Sequence, residues 1–214
     1  MDPSAPRLVA FDLDGTLVDS REDIAVAANL ALADVGLPPR SADEVRSFVG
    51  HGARRLVERC VWPRTDLLEP ALRAWRRHYD VHLLDHTVPY PGILAALDAL
   101  RPRALLGVAT NKPGAFARRI CDALLPNRIA GVVGGDEAPP KPDPAMILAL
   151  GERFGIGPEH TVFVGDMDVD RDAARAAGAA FVGVGWGFTP TSLAGDVAHT
   201  PDDLVRRVLA ALGS

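Results

Sequence analysis

A chain of 214 residues has room for one large domain, or one domain carrying a smaller inserted unit, and for a sizeable core. Hydrophobic residues make up 48% and charged residues 24%, which excludes a wholly disordered or fibrous chain, and no run approaches the roughly 18 uninterrupted apolar residues of a spanning helix. The net charge of -5, with no basic run beyond the doublets Arg54-Arg55 and Arg76-Arg77, gives no attraction for polyanions, so neither nucleic acid nor membrane is expected as a partner.

The opening stretch from Met1 to Arg7 is short and polar, and the apolar residues 8–11 are too few for a signal segment, so the cytoplasm is the expected location. Residues 7–11 (Arg-Leu-Val-Ala-Phe) form a brief apolar run halted by Asp12, the pattern of a buried parallel strand. At its tip lies Asp12-Leu13-Asp14-Gly15-Thr16. Two carboxylates two residues apart on extended backbone face the same side, where they repel unless a cation joins them. A divalent metal would serve the pair; so would a division of labour in which one acid attacks and the other shuttles a proton. An acid-rich turn that merely ends a strand is the plainer alternative. Gly15 would permit the sharp turn.

Residues 20–86 change rhythm. Stretches near 21–35, 42–48, 52–61 and 66–84 predict four helices with no convincing strand, punctuated by Pro38-Pro39, Gly50-His51-Gly52 and Pro63. They read as a small all-helical cap inserted after the first strand. Val88-Pro89-Tyr90-Pro91-Gly92 returns the chain to strand–helix alternation. Strand-like runs at 104–109 and 161–164, and weaker ones at 129–133 and 179–184, alternate with helix-length segments at 92–100, 113–125, 143–154 and 170–177. Such alternation predicts an α/β fold with a parallel sheet covered on both faces. Cys60 and Cys121 fall outside any metal-binding or CxxC spacing and are expected as buried, reduced thiols.

Three later strand ends also carry polar groups. Thr110-Asn111-Lys112 offers a hydroxyl and an amide to phosphoryl oxygens, or simply caps the next helix. Lys141 lies within Pro139-Pro140-Lys141-Pro142-Asp143-Pro144, where the prolines would hold its ammonium in place for charge compensation. Gly165-Asp166-Met167-Asp168-Val169-Asp170 spaces acids so as to supply oxygen ligands to a hard cation. Asp168 and Asp172 read instead as acids favouring a helix N-terminus.

In this order and at strand ends, the four segments resemble the four motifs of the haloacid-dehalogenase-like hydrolases over almost the whole chain. The resemblance implies a Rossmann-like core (1–19 and 87–214) with the helical cap (20–86). It implies Asp12 as nucleophile, Asp14 as general acid/base, and Thr110, Asn111 and Lys141 around the phosphoryl group. Mg²⁺ would be held by Asp12, the backbone carbonyl of Asp14 and Asp166, with Asp170 as a ligand or its support. Asp14 separates phosphatases and mutases from true dehalogenases, which lack this second acid.

Finer segments resemble the phosphoglycolate phosphatase branch: Asp12-Leu-Asp-Gly-Thr-Leu-Val-Asp-Ser20, Phe48-Val-Gly-His-Gly-Ala53, Tyr90-Pro-Gly92, Ala109-Thr-Asn-Lys-Pro113, Gly134-Gly-Asp136 and Lys141-Pro-Asp-Pro144. Two positions depart from it: His51 stands where Asn is common, and Met167 where Ser is common. The expected substrate is a small phosphorylated metabolite, 2-phosphoglycolate first, met by a cationic cap residue for which His51, Arg54 and Arg55 are candidates by position. Sugar-phosphate phosphatase, pyrophosphatase and β-phosphoglucomutase-like mutase are the enzymatic alternatives, and a phospho-accepting signalling module the distant one. A monomer or homodimer is expected.

Overall fold

The computed structural model describes residues 6–188, 193 and 197–213. Its first half runs β1 (Leu8–Phe11), β2 (Val18–Asp19), α1 (Arg21–Asp34), α2 (Ala42–Ser47), α3 (Ala53–Val61), α4 (Leu68–His82), β3 (Val88–Pro89) and α5 (Ile93–Leu100). Then follow β4 (Leu105–Thr110), α6 (Gly114–Leu124), β5 (Gly131–Gly134), α7 (Ala145–Phe154), β6 (Thr161–Gly165), α8 (Asp168–Ala177), β7 (Ala180–Gly183) and α9 (Pro201–Gly213). Residues Met1–Ala5, on which much of the N-terminal expectation rests, lie outside the described residues. Among those described, no helix is long and apolar enough to cross a membrane.

Every residue of β1 is buried, because the strand is covered on both faces. Successive side chains alternate sides: Leu8 and Ala10 join one apolar cluster with Met146, Leu150, Ala173 and Ala174, while Val9 and Phe11 join the other with Leu97, Ala117, Leu204 and Val208. Thus α7 and α8 cover one face of the sheet, and α5, α6 and α9 the other. The strand order is β5-β4-β1-β6-β7, all parallel, with Leu8 paired to both Leu105 and Thr161. The fold is α/β, a Rossmann-like parallel sheet core with an inserted helical unit.

That unit is α1 to α4. Alanines dominate the buried face of α1, which lets it lie close against α4 and its buried Ala71, Leu72, Ala74 and Trp75. The start of α2 is fixed by a capping box, in which the Ser41 hydroxyl accepts from the Glu44 amide and Glu44 accepts from the Ser41 amide. Cys60 and Cys121 are buried and free, as their spacing suggests.

Two features differ from the sequence reading. β2 and β3 pair as a two-stranded antiparallel ribbon where the chain leaves and re-enters the sheet core. Strands of two residues carry no periodicity, so only the meeting of distant segments reveals them. Helix α9 buries Leu204, Val208 and Leu212, a four-residue recurrence that the sequence does display.

Candidate active site

Because the five strands are parallel, their carboxyl ends share one edge of the sheet, where open α/β folds place their ligands. Asp12 follows the last residue of β1, Thr110 ends β4 and Asp166 follows β6. An open recess of about 420 Å³ lies there, with Asp12, Asp14, Thr110, Asn111 and Lys112 on the sheet side and Ile24, Val49, Leu56 and Trp75 on the helical side.

The Lys141 ammonium lies 2.8 Å from Asp12 Oδ1 and 2.7 Å from Asp170 Oδ1, all three side chains being at least nine-tenths buried. Burial opposes its charge, yet Asp12 and then Asp170 outweigh burial and raise its pKa to about 12. These are close ion pairs with angles outside hydrogen-bond geometry, so Asp12 Oδ1, Lys141 Nζ and Asp170 Oδ1 remain buried with hydrogen-bonding capacity in hand. The Asp170 Oδ2 accepts from the Met167 amide at 3.0 Å, which ties the carboxylate to the first turn of α8.

Asp166 accepts the Thr16 hydroxyl at 3.1 Å and the Phe188 amide at 2.8 Å. Burial first, then the charges of Asp170 and Asp12, push its carboxyl well above the usual range. Burial also pushes Asp170 up, against the pull of Lys141. Two glycines make room for Asp166. Gly15 has φ +87°, and a Cβ there would lie 2.5 Å from Asp166 Oδ2; one on Gly187 would lie 2.2 Å from Asp166 Cβ.

Asp12, Asp166 and Asp170 each present an oxygen within 4.8 Å of the others, and all are buried. Crowded like charges, raised carboxyl pKa values and buried oxygens ion-paired to Lys141 form a hard-oxygen donor set that fits a divalent cation such as Mg²⁺.

On the other side of Asp12, Asp14 accepts the Lys112 ammonium through both oxygens at 2.8 and 2.9 Å and the Ser20 hydroxyl at 2.5 Å. The same ammonium donates to the Tyr79 hydroxyl at 2.6 Å, joining the sheet core to α4. Sequence reasoning named neither Lys112 nor Tyr79 as site residues. Lys112 lay within the Thr110-Asn111-Lys112 segment, so its signal was present; that of Tyr79, one aromatic on an amphipathic helix, was not.

Thr110 is buried, with its hydroxyl accepting the Lys112 amide at 3.3 Å. Asn111 spends its amide on backbone: Nδ2 donates to the carbonyls of Gly50 and Lys141, and Oδ1 accepts the Lys141 amide at 2.8 Å. It therefore fastens the Lys141 segment and the 50–52 loop to the end of β4. His51 and Arg54 are exposed and are not among the residues lining the recess, where Gly50, Gly52 and Ala53 stand instead. Arg54 pairs with Glu69 at 2.7 Å and Arg55 with Glu58 at 3.1 Å, both on the outer surface. Met167, which stands where Ser is common in the branch it resembles, is buried with its sulfur against Gly50, so a Cβ at position 50 would lie 2.2 Å from it.

A model of the haloacid dehalogenase-like hydrolase family matches residues 6–178. A phosphoglycolate phosphatase of Pseudomonas putida is 40% identical over 86% of this chain and 71% of its own length. One from Chromobacterium violaceum is 39% identical over 88% of this chain and 89% of its own. The crystal structure of a predicted phosphoglycolate phosphatase from Haemophilus somnus superposes with a TM-score of 0.79 at 36% identity, covering 85% of this chain and 86% of that one.

Proposed function

Because the chain belongs to the haloacid dehalogenase-like hydrolase family, we propose that it hydrolyses a small phosphate monoester, 2-phosphoglycolate before others, through an aspartyl-phosphate on Asp12. The observation that carries this reading is the contact of Asp12 with Lys141 beside the buried acids Asp166 and Asp170, at the mouth of a recess shared with Asp14 and Thr110.

Phosphoryl transfer is chiefly positioning and charge compensation. The phosphoryl group enters between Asp12, the Thr110 hydroxyl and the Lys141 ammonium. An oxygen of Asp12 attacks phosphorus in line with the ester oxygen, so the Asp12 O–P bond forms as the ester P–O bond breaks. Asp14 gives its proton to the leaving oxygen, releasing the alcohol. Asp14 then takes a proton from water, whose oxygen attacks phosphorus, splits the Asp12 O–P bond and liberates inorganic phosphate. Mg²⁺ held by Asp12, the Asp14 carbonyl, Asp166 and Asp170 would add positive charge against the phosphoryl oxygens. Residues 20–86 act as a cap over residues 1–19 and 87–214, moving about the two crossings beside the β2–β3 ribbon to admit substrate and exclude water.

A kinetic panel with Mg²⁺ tests this, using 2-phosphoglycolate, sugar phosphates, pyrophosphate, nucleoside monophosphates and p-nitrophenyl phosphate. The expected kcat/KM for 2-phosphoglycolate exceeds the rest by about tenfold or more. Equal values across the panel would remove the substrate assignment. No turnover of any of them would remove hydrolysis itself and favour a phospho-accepting module.

A further inference from the structure

Among the described residues lining the recess, Lys112 carries the one cationic side chain. Lys141 is engaged with Asp12 and Asp170, and Arg54 points to surface Glu69. We propose that Lys112 is the specificity residue for a substrate bearing a carboxylate beside its phosphate ester, its ammonium taking that carboxylate while it holds Asp14. This rests on the reading that the recess takes a phosphate monoester.

The geometry supports it at three points. First, Lys112 touches both oxygens of Asp14, the acid placed at the leaving oxygen. A carboxylate one carbon beyond that oxygen falls beside the lysine that grips Asp14. Second, the ammonium has a hydrogen to give. The two oxygens of one carboxylate subtend much less than the tetrahedral angle at nitrogen, so Asp14 shares a single N–H. Tyr79 accepts another, and the third is left for a ligand. Third, the facing wall is apolar, built from Ile24, Val49, Leu56 and Trp75, so a charge pair formed there is weakly screened.

The test compares kcat/KM for 2-phosphoglycolate and 2-hydroxyethyl phosphate, its counterpart of equal length with an uncharged hydroxyl in place of the carboxylate, in the full chain with Mg²⁺. The wild type is expected to prefer the carboxylate by about 10- to 100-fold, the range of one hydrogen bond to a charged group. Lys112→Met also releases Asp14 and so lowers kcat for both esters, but it should in addition reduce the preference to about threefold or less, with KM rising for 2-phosphoglycolate alone. Lys112→Gln can still hydrogen-bond Asp14 and Tyr79 without charge and guards against a folding defect in the first variant; it should lose the preference equally. If either folded variant lowers both substrates by one common factor, Lys112 only positions Asp14, and the proposal is overturned. A wild type that hydrolyses both esters equally overturns it too, while leaving the phosphatase reading intact. A wild type that hydrolyses neither overturns both.

Discussion

On the sheet side of the recess, Asp12, Thr110 and Asp166 occupy the last residue of a buried strand or the one after it, and Lys141 reaches Asp12 from a proline-rich segment. Their positions follow from backbone hydrogen bonding in the sheet, and every charged group there is buried against another. On the helical side, α1, α3 and α4 offer apolar residues inward, while the α3 arginines Arg54 and Arg55 lie outward in exposed pairs with Glu69 and Glu58. One wall thus holds charges at high mutual energy; the other mainly excludes water. The lesson is that this molecule concentrates its chemistry where backbone geometry can hold it, and that one lysine, through Tyr79, connects the two walls.

The largest expected effect of breaking this division is Asp12→Asn. Its amide cannot attack phosphorus, so turnover should fall by on the order of 10³-fold or more, with circular dichroism unchanged. Near-wild-type turnover would mean that the sheet wall does not supply the nucleophile. Next comes the acid cluster. Mg²⁺ should raise the wild-type melting temperature, the stabilisation reaching about 2.7 kcal/mol at a hundredfold excess over its Kd, and Asp166→Asn should abolish most of that gain. An equal gain in the variant would exclude Asp166 as a ligand.

Gly15→Ala sharpens the comparison through packing alone. A methyl group at φ +87° and 2.5 Å from Asp166 should cost about 1–3 kcal/mol in urea unfolding; a neutral result would show that the turn can relax. The return crossing adds a pH-dependent element. Buried Asp23 on α1 accepts the backbone amides of His86 and Thr87, the Thr87 hydroxyl at 2.6 Å and the His86 ring at 2.9 Å. The hydrogen bond to Asp23 raises the His86 pKa above 6.5 despite desolvation. A raised histidine pKa adds stability that is complete below 6.5 and is lost as pH rises through the folded value. The melting-temperature gap between wild type and His86→Asn should therefore narrow as pH increases through neutrality; a widening gap would contradict the pairing. Arg54→Ala should have the smallest effect, within about 0.5 kcal/mol for an exposed pair. A tenfold fall in kcat/KM for 2-phosphoglycolate would instead move a working cation to the helical wall.

The strand ends were legible because a short apolar run ended by an acid or hydroxyl has few structural meanings. Runs at 7–11, 104–109 and 161–164 became β1, β4 and β6 within one residue at either end. The helical stretches were legible as amphipathic segments, but the part of the 50–55 region that meets the recess was not. His51 and Arg54 were expected to face substrate, whereas the loop turns Gly50, Gly52 and Ala53 inward. A helix boundary uncertain by a residue rotates a side chain by about 100°, so an outward and an inward arginine look alike in sequence.

By itself, the sequence determined the alternation of strands and helices, the inserted helical unit, and the acids and lysine at the strand ends, since each depends on spacing along the chain. The tertiary structure decided which groups share a charge. Lys112 reaching Asp14 and Tyr79, Asp170 facing Lys141, and Asn111 bracing two distant backbone segments all join residues far apart in the chain. Coulombic and hydrogen-bond energies depend on distance in space, and only packing of the helices against the sheet sets those distances.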